Sequence, residues 1–301
     1  MLRTVTVGLD GSSESRAAAE WAAREAELRG LPLKVVHVWE PVPEPIAQAP
    51  LLGPETHQHW TERIPRESAE GLRRRHPGVE ITVQQRTGRP SEVLREAAED
   101  SVLLVLGSRA LSGIGGFLVG SVSLSVVAHA GQPVVLVRAL EQAADEHEMD
   151  PAGIPSAAAP FRPVVLGLDI GSPDDSLIEF AFDTAAGRAA PLRVVHGWSL
   201  RPYYAYGFSV GLDVQSEQAG KRAGALAEVL RPWRDKYPAV EVVEESRYGS
   251  AADLLVDASR EASLVVVGRR TRDSAFGTRI GPVAHAVMHH ATAPVAVVPH
   301  G

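Results

Sequence analysis

Short β-branched runs alternate along this chain with longer amphipathic stretches. Residues 3–9 (RTVTVGL) read as a strand closed by glycine. Residues 12–30 (SSESRAAAEWAAREAELRG) read as a helix with Ser12 or Ser13 at its N-cap and Gly30 at its stop. A second strand follows at 33–39 (LKVVHVW). The proline-rich stretch 40–55 must be irregular, because proline lacks the amide donor. A helix is expected from about Thr56 to His76 despite Pro65, then a strand at 79–86 and a short helix from Pro90 to Asp100. The run 101–107 (SVLLVLG) is continuously apolar, as a strand covered on both faces should be. A helix at 121–130 and a strand at 132–138 complete the set.

The same pattern is then written again. VTVGLDGS around Gly8 matches PVVLGLDIGS around Gly167, and PLKVVHVW from Pro32 matches PLRVVHGW from Pro191, each pair 159 residues apart. RTGRPSEVLREA from Arg86 matches RYGSAADLLVDA from Arg247, LVLGSR matches VVVGRR, and QPVVLVR matches APVAVVP, now 161 apart. Ordered matches at near-constant offset mark a duplicated domain. The expected division is 1–140, a linker at 141–160 rich in Ala, Pro and acid, and 161–301. Strands separated by helices imply parallel pairing with right-handed crossovers. Each copy is therefore expected to be a doubly wound α/β domain: a five-stranded parallel sheet of order 3-2-1-4-5, helices on both faces. Ligands in such sheets sit beyond the strand ends where the order reverses, here between Asp10 and Gly107.

Composition narrows the function. Apolar residues make up 45 % and charged residues 22 % of the 301, enough for real cores. The net charge of −7 gives no global attraction to nucleic acid or acidic membranes. There is no cysteine, which excludes disulfides, thiolate catalysis and Cys-ligated zinc. No apolar run approaches the roughly 18 residues of a membrane span, and no secretory signal is evident at the N-terminus. A cytoplasmic protein is the expectation.

The candidate chemistry lies at 107–123 (GSRALSGIGGFLVGSVS), with five glycines and four serines. It is either a long loop or a wrapping for an anion. Glycine lets a ligand approach the backbone closely. Gly120-Ser121 opens the next helix, where free amides and the positive dipole end receive an anion. Ser121 and Ser123 add hydroxyls and Arg109 a permanent cation, which suits a di- or triphosphate. Neither a Walker A loop nor a G-x-G-x-x-G after the first strand is present.

Gly107-x-x-Ala110-(nine residues)-Gly120-Ser121 resembles the G-2x-G-9x-G-[ST] signature of ATP-binding universal stress proteins, and VGLDGS, VVHVW and QPVVLV resemble the same family. The resemblance covers both copies. It implies a tandem ATP-binding sensor or regulator in stress response. Gly8, Leu9 and Asp10 would lie by the ribose or by Mg at the phosphates. The Val38 backbone would meet adenine. Gly107, Ser108, Arg109 and Ala110, with Gly120, Ser121, Val122 and Ser123, would wrap ribose and phosphates. The resemblance also implies dimerisation through the last strand of each domain, within the chain as a pseudo-dimer of 133–137 with 294–298 or between two chains, and a regulatory protein partner.

This sequence departs from that pattern. Alanine stands at 110 for glycine, tolerable unless positive φ is needed. In the second copy Thr271 and Pro282 replace glycine and serine, so the counterparts Gly167, Asp169, Gly268, Arg269, Arg270, Thr271, Gly281 and Val283 form a degenerate phosphate loop. Arg272 and Arg279 add charge there. Firm nucleotide binding is expected in the first copy, weak or none in the second.

Plainer readings stand beside these. Asp10 and Asp169 suit turns, the serines suit caps, and Arg109 suits a solvated surface. His57 with His59, and His289 with His290, are poorly spaced as metal pairs. His37 and His196 recur in strand two, where packing or a strand-end hydrogen bond accounts for them. Tyr203, Tyr204 and Tyr206 suit a lid, a partner patch or an ordinary loop. No nucleophile–base constellation emerges. A slow ATP hydrolase or nucleotidyl enzyme, and a nucleotide-free interaction module, are the rival readings.

Overall fold

The computed structural model describes residues 3–40, 54–110, 117–139, 141–150, 152–154, 156–199, 212–271 and 280–301. Arg272, Arg279, Tyr203, Tyr204 and Tyr206 lie outside the described residues, as do residues 111–116 of the glycine-rich stretch and the side chains of His57, His59, Arg109 and Ala110. The chain divides into two compact units, Met1–Gln142 and Ala143–Gly301.

The first unit contains β1 (Thr4–Gly8), α1 (Ser13–Arg29), β2 (Leu33–Trp39), α2 (Pro54–Arg75), β3 (Ile81–Thr87), α3 (Pro90–Glu99), β4 (Ser101–Ala110), α4 (Ser121–His129) and β5 (Val134–Arg138). Its strands lie in the order β3-β2-β1-β4-β5, all parallel. A row of valines crosses the sheet in register: Val83, Val35, Val7, Val105 and Val135. β-branched side chains suit such a pleated, two-sided core. Helices α1 and α2 cover one face, α3 and α4 the other.

The second unit repeats the plan with β6 (Val164–Gly167), α5 (Asp175–Arg188), β7 (Leu192–Trp198), α6 (Leu212–Lys236), β8 (Val242–Tyr248), α7 (Ala251–Ala258), β9 (Leu264–Arg270), α8 (Pro282–His290) and β10 (Val295–His300). Its order is β8-β7-β6-β9-β10, again parallel. The alternation of runs thus yields the doubly wound architecture expected of each copy.

The second unit begins at Ala143, inside the stretch 141–160 expected as a linker. Ala143–Glu146 forms a 3-10 turn, and His147 bridges to Phe161 with ring centroids 4.0 Å apart. Glu146 lies 3.7 Å from Arg188, with side-chain exposures of 3 % and 1 %. Glu146 and His147 are the buried residues among those described at 141–160; most of the others are exposed or partly exposed.

The two copies end their first helix differently. Gly30 closes α1 in the left-handed region at φ 61°, its amide reaching the carbonyls of Ala26 and Glu27. The counterpart after α5 is Ala189, held at φ 49° by bonds to Ala185 and Ala186. An L-side chain pays a steric cost there that glycine avoids. Ala189→Gly is expected to stabilise the protein by about 0.5–1 kcal/mol, read as a higher urea midpoint.

Candidate functional site

In the first unit a cleft of about 270 Å³ opens at the carboxyl ends of β1 and β4, where the strand order reverses. The β1 side supplies Gly8, Leu9, Asp10 and Ser12; the β4 side supplies Leu106 and Gly107; the start of α4 supplies Gly120, Ser121, Val122 and Ser123. Val36 and Val38 of β2 with Leu94 of α3 make an apolar wall. Most residues expected to wrap a ligand therefore do meet in one place.

Gly120 is the N-cap of α4, at φ −60° and ψ 156°, and as glycine it has no side chain with which to cap the helix. Its first amides belong to Ser121, Val122 and Ser123, all on the cleft wall. The Ser123 hydroxyl donates to the Gly107 carbonyl at 3.3 Å, tying helix to strand. Gly107 is required by packing: a Cβ there would lie 2.6–2.8 Å from the backbone and Cβ of Glu14. The first turn of α1 thus rests directly on β4.

Asp10 is exposed on the cleft wall, its carboxylate held by the turn that leads into α1. Its Oδ1 accepts from the Ser12 amide at 2.9 Å and the Ser12 hydroxyl at 2.6 Å. Burial opposes ionisation of this carboxyl, but the bonds from Ser12, with a smaller contribution from Ser15, outweigh it and hold the group below the ordinary aspartate value. A depressed folded value gives stability that is present above the unfolded value, near about 4, and is lost as pH falls through the folded one. Asp10→Asn is therefore expected to flatten the acid side of the stability profile below about pH 4, measured by urea unfolding. A profile parallel to wild type would refute the assignment.

Three expected residues are not among the described lining of the cleft. Ser108 is buried and donates to the Val137 carbonyl at 3.3 Å, away from the cleft. Arg109 and Ala110 extend β4 and pair with Leu118 and Phe117 of a short antiparallel strand. Extended backbone suits alanine, so position 110 makes no demand for glycine.

The second unit holds a corresponding cleft of about 560 Å³. Gly167, Asp169, Gly268, Arg270, Gly281 and Val283 line it. Arg269 does not: it is buried at 4 % exposure. Thr271 gives its amide (2.6 Å) and hydroxyl (2.9 Å) to the His300 carbonyl. Arg270 stands 3.6 Å from Asp169 across the mouth. Pro282 at the first turn of α8 removes an amide, and Ala284 stands where Ser123 carries a hydroxyl. Pro173 delays the start of α5 to Asp175, so no turn equivalent to that of Glu14 covers Gly268. The His300 ring lies there instead, its Nε2 2.6 Å from where a Cβ would be.

Comparison with known proteins decides the family. The model of the Universal stress protein family matches residues 1–138 and 160–299. The chain belongs to the universal stress protein family. A universal stress protein of Mycobacterium tuberculosis is 34 % identical over 308 residues, covering 97 % of this chain and 96 % of the relative. One from Mycolicibacterium smegmatis is 31 % identical over 304 residues, covering 98 % and 96 %. The crystal structure of a universal stress protein from Archaeoglobus fulgidus superimposes with a TM-score of 0.70 at 18 % identity, covering 99 % of this chain and 98 % of that one, and shows the same fold.

Sequence reasoning missed Ser12, Glu14, Ser15 and Leu94 in the first cleft and Leu177 and His300 in the second. The Asp-x-Ser spacing at 10–12 is a turn-and-cap signal that locates Ser12. Nothing in the local pattern marks His300. The recurring histidines serve as strand-end ties: His37 Nδ1 meets the Leu9 carbonyl at 2.7 Å and His196 Nδ1 the Leu168 carbonyl at 3.0 Å. Among the described residues, no three His, Asp or Glu side chains are grouped to hold a metal, and no helix is long and apolar enough to cross a membrane.

Proposed function

We propose that the first cleft binds an adenine nucleotide, with ATP as the ligand, and that the protein acts as a nucleotide-responsive regulator. The observation that carries this reading is the uncapped N-terminus of α4 opening into a cleft at the sheet's switch point. The amides of Ser121, Val122 and Ser123 and the Ser121 hydroxyl would take the phosphates. The wall of Val36, Val38 and Leu94 would take the base. Mg fits the chemistry only as a partner of the phosphates: Asp10 offers one carboxylate, and such ions draw their remaining oxygens from phosphate and water.

Regulation is favoured over hydrolysis by the acids at hand. Among the described residues, the ionisable side chains on the first cleft wall are Asp10 and Glu14. Asp10 is held as a stabilised anion by Ser12, which makes it a poor proton acceptor for a general base. In the second cleft the loss of one amide and one hydroxyl removes charge-assisted bonds of about 1.5–3 kcal/mol each, which favours occupancy of the first cleft.

Ser121→Glu tests the reading. Ser121 is exposed at the first helical turn, where an acid favours the helix dipole, so the fold is preserved while phosphate is repelled. ATP affinity of the full chain is expected to fall about ten- to a hundredfold by calorimetry. Unchanged affinity, or wild-type protein that ignores ATP at millimolar concentration, would overturn the proposal.

A further inference from the structure

A second surface of the first unit is poised for a ligand of another kind. Among the described residues, strand β3 is paired on one side only, with β2. Leu33 donates to the Glu80 carbonyl, so the even-numbered residues of β3 bond inward, and the main-chain groups of Ile81, Val83 and Gln85 point outward. Beside this edge runs a groove of about 540 Å³ lined by Pro65, Arg66, Arg73, Val83 and Gln85. Val83 is 37 % exposed, an apolar side chain on an open edge.

The duplicated unit shows what this edge lacks. There Arg234 of α6 reaches the Val242 carbonyl at 3.2 Å and the Glu244 carboxylate at 2.6 Å. In the first unit Arg73 reaches the Ile81 carbonyl in the same way, at 2.7 Å, but the position of Glu244 is held by Val83. Arg193 pairs with Glu245 at 2.6 Å, whereas the first unit has Lys34 and Gln84 at those places, and Gln84 Oε1 is buried without a hydrogen-bond partner. Arg66 and Arg74 stand where the second unit has Ala227 and Asp235. In a chain of net charge −7, the groove is lined by two arginines, and the strand beside it lacks the two carboxylates that Glu244 and Glu245 supply in the second unit.

We propose that β3 and its groove dock an extended acidic segment of a partner protein, added as a further strand. Main-chain groups of Val83 and Gln85 would bond its backbone, Val83 would pack its apolar positions, and Arg73 and Arg66 would receive its carboxylates in the role that Glu244 plays for Arg234. Exposed edges with neither charge nor cover are otherwise avoided, and the charged residues that line the groove, Arg66 and Arg73, are both cationic.

The test uses the full chain and a blocked octapeptide alternating glutamate with threonine and valine, its glutamine counterpart, and a single-stranded oligonucleotide. The acidic peptide is expected to bind in a salt-sensitive manner, to slow amide exchange at Val83 and Gln85, and to outbind the glutamine peptide by at least about tenfold. Val83→Glu restores the carboxylate of the second unit and should close the site, with a similar loss and an unchanged unfolding midpoint. Arg66→Glu should weaken binding as well. No binding at millimolar peptide, unprotected edge amides, undiminished binding to Val83→Glu, or binding of the oligonucleotide in place of the peptide would overturn the proposal.

Discussion

Glu146→Ala is expected to destabilise the second unit by about 3–5 kcal/mol. Glu146 and Arg188 are both almost wholly shielded from water, and the guanidinium also lies 5.6 Å over the Phe161 ring. Removing the acid takes away the carboxylate that faces this buried guanidinium. Replacing both members by apolar residues of similar volume, Glu146→Leu with Arg188→Met, should cost far less, because the penalty comes from an uncompensated charge rather than from the missing attraction. Urea unfolding measures the loss, and amide exchange assigns it to Ala143–Gly301. A loss below about 1 kcal/mol would place the pair with ordinary surface ion pairs.

Gly107→Ala is expected to cost about 1–3 kcal/mol by overpacking and to weaken ATP binding by more than about tenfold. The new methyl would meet the Glu14 backbone, which cannot rotate away as a side chain tip would. The first turn of α1 must shift, carrying the Ser12 cap and with it Asp10, while the Ser123–Gly107 bond loses its alignment. Gly120→Ala is the control: nothing lies within 4 Å of a Cβ there, and its φ of −60° is open to any residue. It should change stability by no more than about 0.5 kcal/mol. Equal effects at the two glycines would mean that the contact between α1 and β4 is not the constraint described.

The architecture could be read from the residues because the relevant signals are local. Val-rich runs bounded by Gly and separated by Ala/Glu/Arg-rich stretches specify parallel strands and crossovers, and the repeat at 159 and 161 residues specifies two units. The first cleft was largely readable for the same reason: strand ends and a helix start define it, and most expected residues converge. What escaped was direction. Ser108 follows the lining residue Gly107 and Arg269 sits between the lining residues Gly268 and Arg270, yet both are buried away from the clefts. The segment around Glu146 looked like a tether because one buried acid meets its arginine 42 residues later, a pairing without periodicity. His300 sits over Gly268 only because Pro173 shortens α5 at its start, an effect carried across three separate stretches of chain.

Pro282 has a consequence for how the two halves could diverge. Proline at the opening turn of a helix fits the backbone without strain, since the amide that it lacks has no partner within the helix. The second half could therefore surrender a phosphate donor with no penalty in folding, and no repair elsewhere would be called for. Duplication in this chain leaves one copy free to drift in what it recognises while remaining a sound piece of architecture.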